Sequence, residues 1–129
     1  MIPLQRNILK YLKERKWDNL RPADLAKSIS IEAAELLELF QWSGEELAEV
    51  LRDKEKIKAV EKELADVFIY AFEMAALLGL DAEKLVKKKL AKIKKKYPAR
   101  LMRKIQSREP GRDSLYLKIK QSYRRRGLS

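Results

Sequence analysis

Apolar residues recur three and four positions apart along most of the chain, and no stretch alternates apolar and polar for long. Helices are therefore predicted and strands are not. Residues 3–16, with Ile8, Leu9, Tyr11 and Leu12, read as a first helix that ends near Trp17-Asp18-Asn19. A second starts at Pro22, with Asp24 in its first turn, and runs to about Trp42. Ser43 and Glu46 have capping-box spacing ahead of a short helix ending near Arg52. Residues 53–58 read as a charged linker into a long helix closed by Gly79, a glycine suited to the left-handed turn after a helix. Asp81 is placed to cap a helix over residues 82–96, which the Tyr97-Pro98 step interrupts. A short helix over 99–105, a turn at Glu109-Pro110-Gly111, and a basic amphipathic segment follow. That last segment is capped by Asp113 and carries Leu115, Leu117 and Ile119. Four long helices with short links make an all-α, antiparallel four-helix bundle. It occupies residues 1–106, with a basic C-terminal extension over 107–129.

Two helical runs break the amphipathic rule. In ISIEAAELLELFQW, Glu32 and Glu35 lie three residues apart among Ile31, Leu36 and Leu39. In EKELADVFIY, Glu63 and Asp66 have the same spacing, in line with Tyr70, Met74 and Leu77. Side chains three apart share a helix face, so all four acids fall in the apolar stripe. Buried carboxylates are costly without a compensating positive charge. Facing helices that each present such a pair would form an oxygen-rich cage for one or more divalent cations. A lone pair at this spacing is common on solvated helices; the repetition inside apolar arcs favours metal. Glu38 falls nearer the rim, and Glu73, one heptad beyond Asp66, reads as an outer ligand or an ion-pair partner.

Composition narrows the chemistry further. The chain of 129 residues has no cysteine and no histidine, which removes disulfides, Cys/His zinc sites, thiol nucleophiles and Ser-His triads. Any metal is held by oxygen, which favours Mg²⁺, with Mn²⁺ second. No apolar run approaches the length of a bilayer span and no signal peptide is apparent, so the expectation is a cytoplasmic protein. The net charge of +11 is uneven: residues 1–66 hold 12 Lys/Arg against 14 Asp/Glu, and residues 67–129 hold 18 against 5. Such asymmetry fits a polyanionic ligand bridged by metal, or a nucleic-acid surface. Trp17 and Trp42, the two tryptophans, both lie at helix ends, where they either close the bundle or stack on a base. The lysines at 87–89, 92 and 94–96 read mainly as a solvated face from which one or two reach phosphate.

The order E-x-x-E, spacer, E-x-x-D resembles the all-α nucleoside triphosphate pyrophosphohydrolases of the MazG-like superfamily. The blocks SIEAAELLELFQW, EKELADVFIY and KKKYP, from Trp17 to Leu101, are most similar to the dCTP pyrophosphatase branch. The resemblance implies a helix bundle that forms a homodimer or homotetramer with active sites at subunit contacts. It implies Glu32, Glu35, Glu63 and Asp66 as Mg²⁺ ligands, and Trp17, Trp42 and Tyr70 around the nucleotide. It also implies Lys89, eight residues before the Tyr-Pro step, at the phosphates. Two positions depart from that branch. Ile93 stands where an asparagine is common and Ile8 where a histidine can occur, which leaves base and sugar preference open.

The resulting expectation is Mg²⁺-dependent hydrolysis of a (deoxy)nucleoside triphosphate to monophosphate and pyrophosphate, suited to nucleotide-pool sanitation. Water attacks the α-phosphorus, with Glu35 or Glu38 orienting it and Lys89 stabilising charge. Phosphoribosyl-ATP hydrolysis on the same fold is disfavoured by the FQW block and the paired tryptophans. The competing class is a basic helical nucleic-acid-binding module, carried by the basic second half and Arg124-Arg125-Arg126; it would bind without Mg²⁺ and with strong salt dependence. It gives no reason for four acids in apolar arcs. A purely structural bundle is a third possibility, and it would fold equally well with those acids changed to leucine.

Overall fold

The computed structural model describes residues 1–106 and 113–128. The predicted Glu109-Pro110-Gly111 turn and the side chains of Asp113 and Leu115 lie outside the described part. The described residues form seven helices and no strand: α1 (Pro3–Glu14), α2 (Pro22–Glu38), α3 (Leu47–Arg52), α4 (Lys54–Leu77), α5 (Ala82–Lys96), α6 (Ala99–Gln106) and α7 (Asp113–Arg125). The all-α expectation holds. Two compact units divide the chain, Met1–Glu83 and Lys84–Ser129.

In the first unit α1, α2 and α3 each pack on α4, the longest helix. Proline fixes the start of α1 and α2, where the missing N–H is not needed. The end of α1 is tied down by Lys16, which takes a left-handed conformation with φ of 58°, and by the Trp17 amide donating to the Leu12 carbonyl at 2.8 Å. Gly79, with φ of 68°, closes α4 as its sequence position suggests. Leu12, Leu25 and Ala76 form the fully enclosed apolar centre. Gln5 is buried with them: its amide donates to the Leu80 carbonyl and its oxygen accepts from the Ala82 amide, fastening α1 to the α4–α5 link.

Three boundaries differ from the sequence reading, each for a local reason. Helix α2 stops at Glu38, not near Trp42, and the Leu39 carbonyl beyond it accepts a hydrogen bond from the Lys56 amine on α4. Ser43 makes no capping box. Its hydroxyl donates to the Glu45 carboxylate at 2.6 Å, and α3 begins only after Glu46, whose side chain makes no capping bond. Asp53 belongs to no linker but caps α4, accepting from the Lys56 amide at 3.0 Å.

In the second unit, α5 ends at the Tyr97-Pro98 step and α6 resumes one residue later. Tyr97 and Tyr116 stack with centroids 5.1 Å apart, and the Lys96 amine lies 5.0 Å from the Tyr123 ring centre. Lys89, Lys92, Lys95 and Lys120 line a groove of about 670 Å³ with these rings. No helix among the described residues is long and apolar enough to cross a membrane.

Candidate active site

Helices α2 and α4 set one polar face against the other. On α4, Glu63, Asp66, Tyr70 and Glu73 follow at spacings of three, four and three, which keeps them on one side. On α2, Asp24, Ser28, Glu32 and Glu35 follow at spacings of four, four and three. The two faces meet in opposite order. Residues early in α2 and late in α4 (Asp24, Ser28, Tyr70, Glu73) line a cavity, and Glu32 further along α2 meets Glu63 earlier in α4. Asp66 belongs to both groups. Antiparallel packing thus produces one continuous strip with an acidic end and an aromatic end.

At the acidic end, carboxylate oxygens of Glu32, Glu63 and Asp66 all lie within 4.8 Å of one another. Glu35 lies near enough to Glu63 to act on its carboxyl. Glu63 is accordingly held above the usual carboxylate range. Burial is the first cause, the Glu35 carboxyl the second, and Asp66 adds to it; Lys62 opposes. Lys62 lies at the margin of an ion pair, 3.9 Å from Glu63 Oε1, with its side chain 77% exposed. One solvated lysine does not neutralise four acids. Glu63 Oε2 is buried without a hydrogen-bond partner. An orphaned carboxylate oxygen facing other carboxylates is the donor set that a hard divalent cation takes.

At the other end, Tyr11, Trp17, Leu20, Leu25, Ile69 and Tyr70 give the cavity, about 380 Å³, its apolar wall. Trp17 meets Tyr11 edge-to-face, with centroids 6.0 Å apart and the planes at 72°. Burial, followed by the charges of Glu32, Glu73 and Asp66, pushes the Tyr70 hydroxyl up, so it stays a neutral donor at physiological pH. Glu73, only 6% exposed, is also pushed up by burial.

The residues singled out in the sequence are thus partly gathered. Glu32, Glu63 and Asp66 converge, the exposed Glu35 acts on Glu63 from beside them, and Trp17 and Tyr70 share the adjoining cavity. Trp42 stands in the turn beyond α2, 91% exposed, and Glu38 is exposed at the last position of α2. Lys89 lines the groove of the second unit. Glu73 faces the cavity and is not one of the three clustered acids. Tyr11, Asp24 and Ser28 were not singled out for the site. The spacing of Asp24 and Ser28 ahead of Glu32 could have flagged them; nothing local to α1 flags Tyr11.

Comparison with known proteins agrees with this geometry. Residues 27–108 match the model of the MazG-like family. The chain is 32% identical over 103 residues to dCTP pyrophosphatase 1 of Rattus norvegicus and 33% identical to that of Homo sapiens. Each match covers 78% of this chain and 60% of the relative, so the chain spans about three-fifths of the length of these curated relatives. A crystal structure of a pyrophosphatase from Archaeoglobus fulgidus DSM 4304 superposes with a TM-score of 0.63 at 36% identity, covering 74% of this chain and 89% of that one. The chain belongs to the MazG-like family.

Proposed function

We propose that the protein is a nucleoside triphosphate pyrophosphohydrolase that releases pyrophosphate from a (deoxy)nucleoside triphosphate in the presence of Mg²⁺, or Mn²⁺ in its place. The observation that carries this reading is the convergence of Glu32, Glu63 and Asp66, with Glu35 beside them and Glu63 Oε2 unpartnered. The names of the matched relatives, dCTP pyrophosphatases and a pyrophosphatase, point the same way.

Glu32, Glu35, Glu63 and Asp66 would hold the metal, which when bound supplies charge neutralisation for the phosphates and an acidified water. Of the two acids predicted to orient the attacking water Glu35 is the one we favour, since it acts on the Glu63 carboxyl, whereas Glu38 lies at the end of α2. Trp17 and Tyr70, on the cavity wall, would bind the nucleoside, Trp17 by stacking and Tyr70 through its hydroxyl. Lys89 and Trp42 remain assigned to the phosphates and the base through the family resemblance.

We also propose a homodimer or homotetramer. Among the described residues only three apolar side chains are buried, while Ile31 and Leu37 on α2 and Phe68 on α4 are each more than half exposed. Apolar area of that extent calls for a protein cover. The proposed cellular role is nucleotide-pool sanitation in the cytoplasm.

The test is pyrophosphate release from a panel of canonical and modified triphosphates, with and without Mg²⁺, for the wild-type chain and Glu63→Gln. Mg²⁺-dependent release lost in the variant supports the reading. Equal activity in the variant removes the metal assignment. Salt-sensitive binding of nucleic acid without any hydrolysis would return the basic-module alternative. Mass in solution tests the oligomer.

A further inference from the structure

Glu73 is the acid that the cation cage does not use. Its side chain is buried, it lines the cavity between α1, α2 and α4, and it makes no hydrogen bond or ion pair among the described residues. The other polar side chains on this wall are Tyr11, Trp17, Asp24, Ser28, Asp66 and Tyr70; none is cationic, and none is hydrogen-bonded to Glu73. A buried carboxyl without a partner is costly. Whether ionised or protonated, it keeps an accepting oxygen that asks for an N–H or O–H donor. In the open cavity that donor is water, or a group of the ligand that displaces it.

The place of Glu73 along α4 says which part of a nucleotide this is. Seven residues separate it from Asp66, about 10 Å along the helix, a distance that a nucleoside spans. With phosphates at the acidic end, the base falls between Glu73 and the Tyr11–Trp17 pair. Aromatic faces hold any base alike, because every base has a π-face. Discrimination therefore falls to the polar groups of the wall, and Glu73 is the most enclosed of them.

Resting on the pyrophosphohydrolase reading, we propose that Glu73 is the specificity residue of the cavity. It accepts a hydrogen bond from an exocyclic amino group and so favours a nucleotide with an amino-bearing base over one with uracil or thymine. Cytosine presents its amino group beside a ring nitrogen. Uracil and thymine present a single ring N–H flanked by two carbonyl oxygens, which would face the carboxyl with their own lone pairs. A site built to pair a donor rejects the analogue that lacks it far more strongly than an apolar pocket rejects a change of size.

The experiment compares kcat/KM for dCTP, dTTP and dUTP with Mg²⁺, using the full chain and its Glu73→Gln and Glu73→Leu variants. Each ratio between substrates is internal to one protein preparation, so partial misfolding does not alter it. The wild type is expected to favour dCTP at least tenfold. In Glu73→Gln the amide can donate to a pyrimidine carbonyl and accept from the ring N–H, so the preference should shrink tenfold or more, mainly through faster turnover of dTTP and dUTP. Glu73→Leu should reduce discrimination by slowing dCTP. A wild type that favours dTTP or dUTP, or ratios unchanged within twofold in both variants, overturns the proposal. Glu63→Gln separates the two readings, since it should slow every triphosphate alike and leave the ratios between them unchanged. If the wild type cleaves none of them, the hydrolytic reading fails, and the role of Glu73 is decided by titrating tryptophan fluorescence with deoxycytidine and thymidine. Tighter deoxycytidine binding that Glu73→Gln abolishes upholds it, and equal binding refutes it.

Discussion

Glu45 and Glu63 are two glutamates of similar depth, 26% and 13% exposed, with opposite electrostatics. Glu45 accepts from the Ser43 hydroxyl at 2.6 Å and pairs with Lys56 at 3.4 Å, and these contacts hold its carboxyl below the usual range, Ser43 most of all. The same lysine lies over the Phe40 ring and bonds the Leu39 carbonyl, so the turn between α2 and α3 is pinned to α4 by one amine. Glu63 has Glu35, Asp66 and Glu32 where Glu45 has Ser43 and Lys56, and its carboxyl is pushed up. The fold completes one acid internally and leaves the other to be completed from solution. An acid whose charge the chain itself does not satisfy is the one to suspect of binding something.

The largest expected effect breaks this contrast at Glu63. Glu63→Gln should lower Mg²⁺-dependent pyrophosphate release by at least about 100-fold, since even the partners that orient metal ligands matter 10- to 100-fold. Glu45→Gln should leave the rate close to wild type. Steady-state pyrophosphate assays on both variants decide it, and a comparable loss in each would mean that the two acids do not differ in role. Next in size is the cation itself. Saturating Mg²⁺ should raise the wild-type melting temperature, by an amount corresponding to about 2.7 kcal/mol at a hundredfold excess over Kd. Glu63→Gln should show little of that rise, whereas Glu45→Gln should show all of it.

The clustering of Glu32, Glu63 and Asp66 was legible in the sequence because it depends on spacing within two helices. The apolar neighbours of Glu32 and Glu63 fix which way those helices face, and the i, i+3 acids follow. The cavity was not legible, because it depends on which helix lies beside which. Tyr11 reaches the site only through the packing of α1 on α4, a contact between residues some sixty positions apart that no local pattern encodes. Glu73 illustrates both halves: its face could be read from the sequence, and the cavity it lines could not. The early end of α2 has the same origin, since the Lys56 amine that binds the Leu39 carbonyl sits 17 residues further along the chain.

Removing the cation at the satisfied site sharpens the comparison from the other side. Lys56→Met should strip Glu45 of its charge partner and orphan the Leu39 carbonyl, at a cost of about 1 kcal/mol for the lost hydrogen bond. The Glu45 carboxyl should then titrate higher, observable by carboxyl-carbon NMR. If stability and titration both stay put, Ser43 alone accounts for the lowered value.

The smallest expected effect is a difference in pH slope, measured by urea unfolding of metal-free protein between about pH 3 and 7, a range that brackets the ordinary glutamate value of about 4.3. Glu45 has a lowered folded-state value, so its contribution to stability is present above the ordinary value and is lost as pH falls through the lowered one. Glu73 has a raised value, so its contribution is present below the ordinary value and is lost as pH rises through the raised one. Glu45→Gln should therefore lose ground to wild type as pH rises, and Glu73→Gln should gain it over the same interval. Slopes of opposite sign follow from one acid having its partners built in and the other having none. Slopes of the same sign would show that Glu73 finds a cation in solution even without nucleotide.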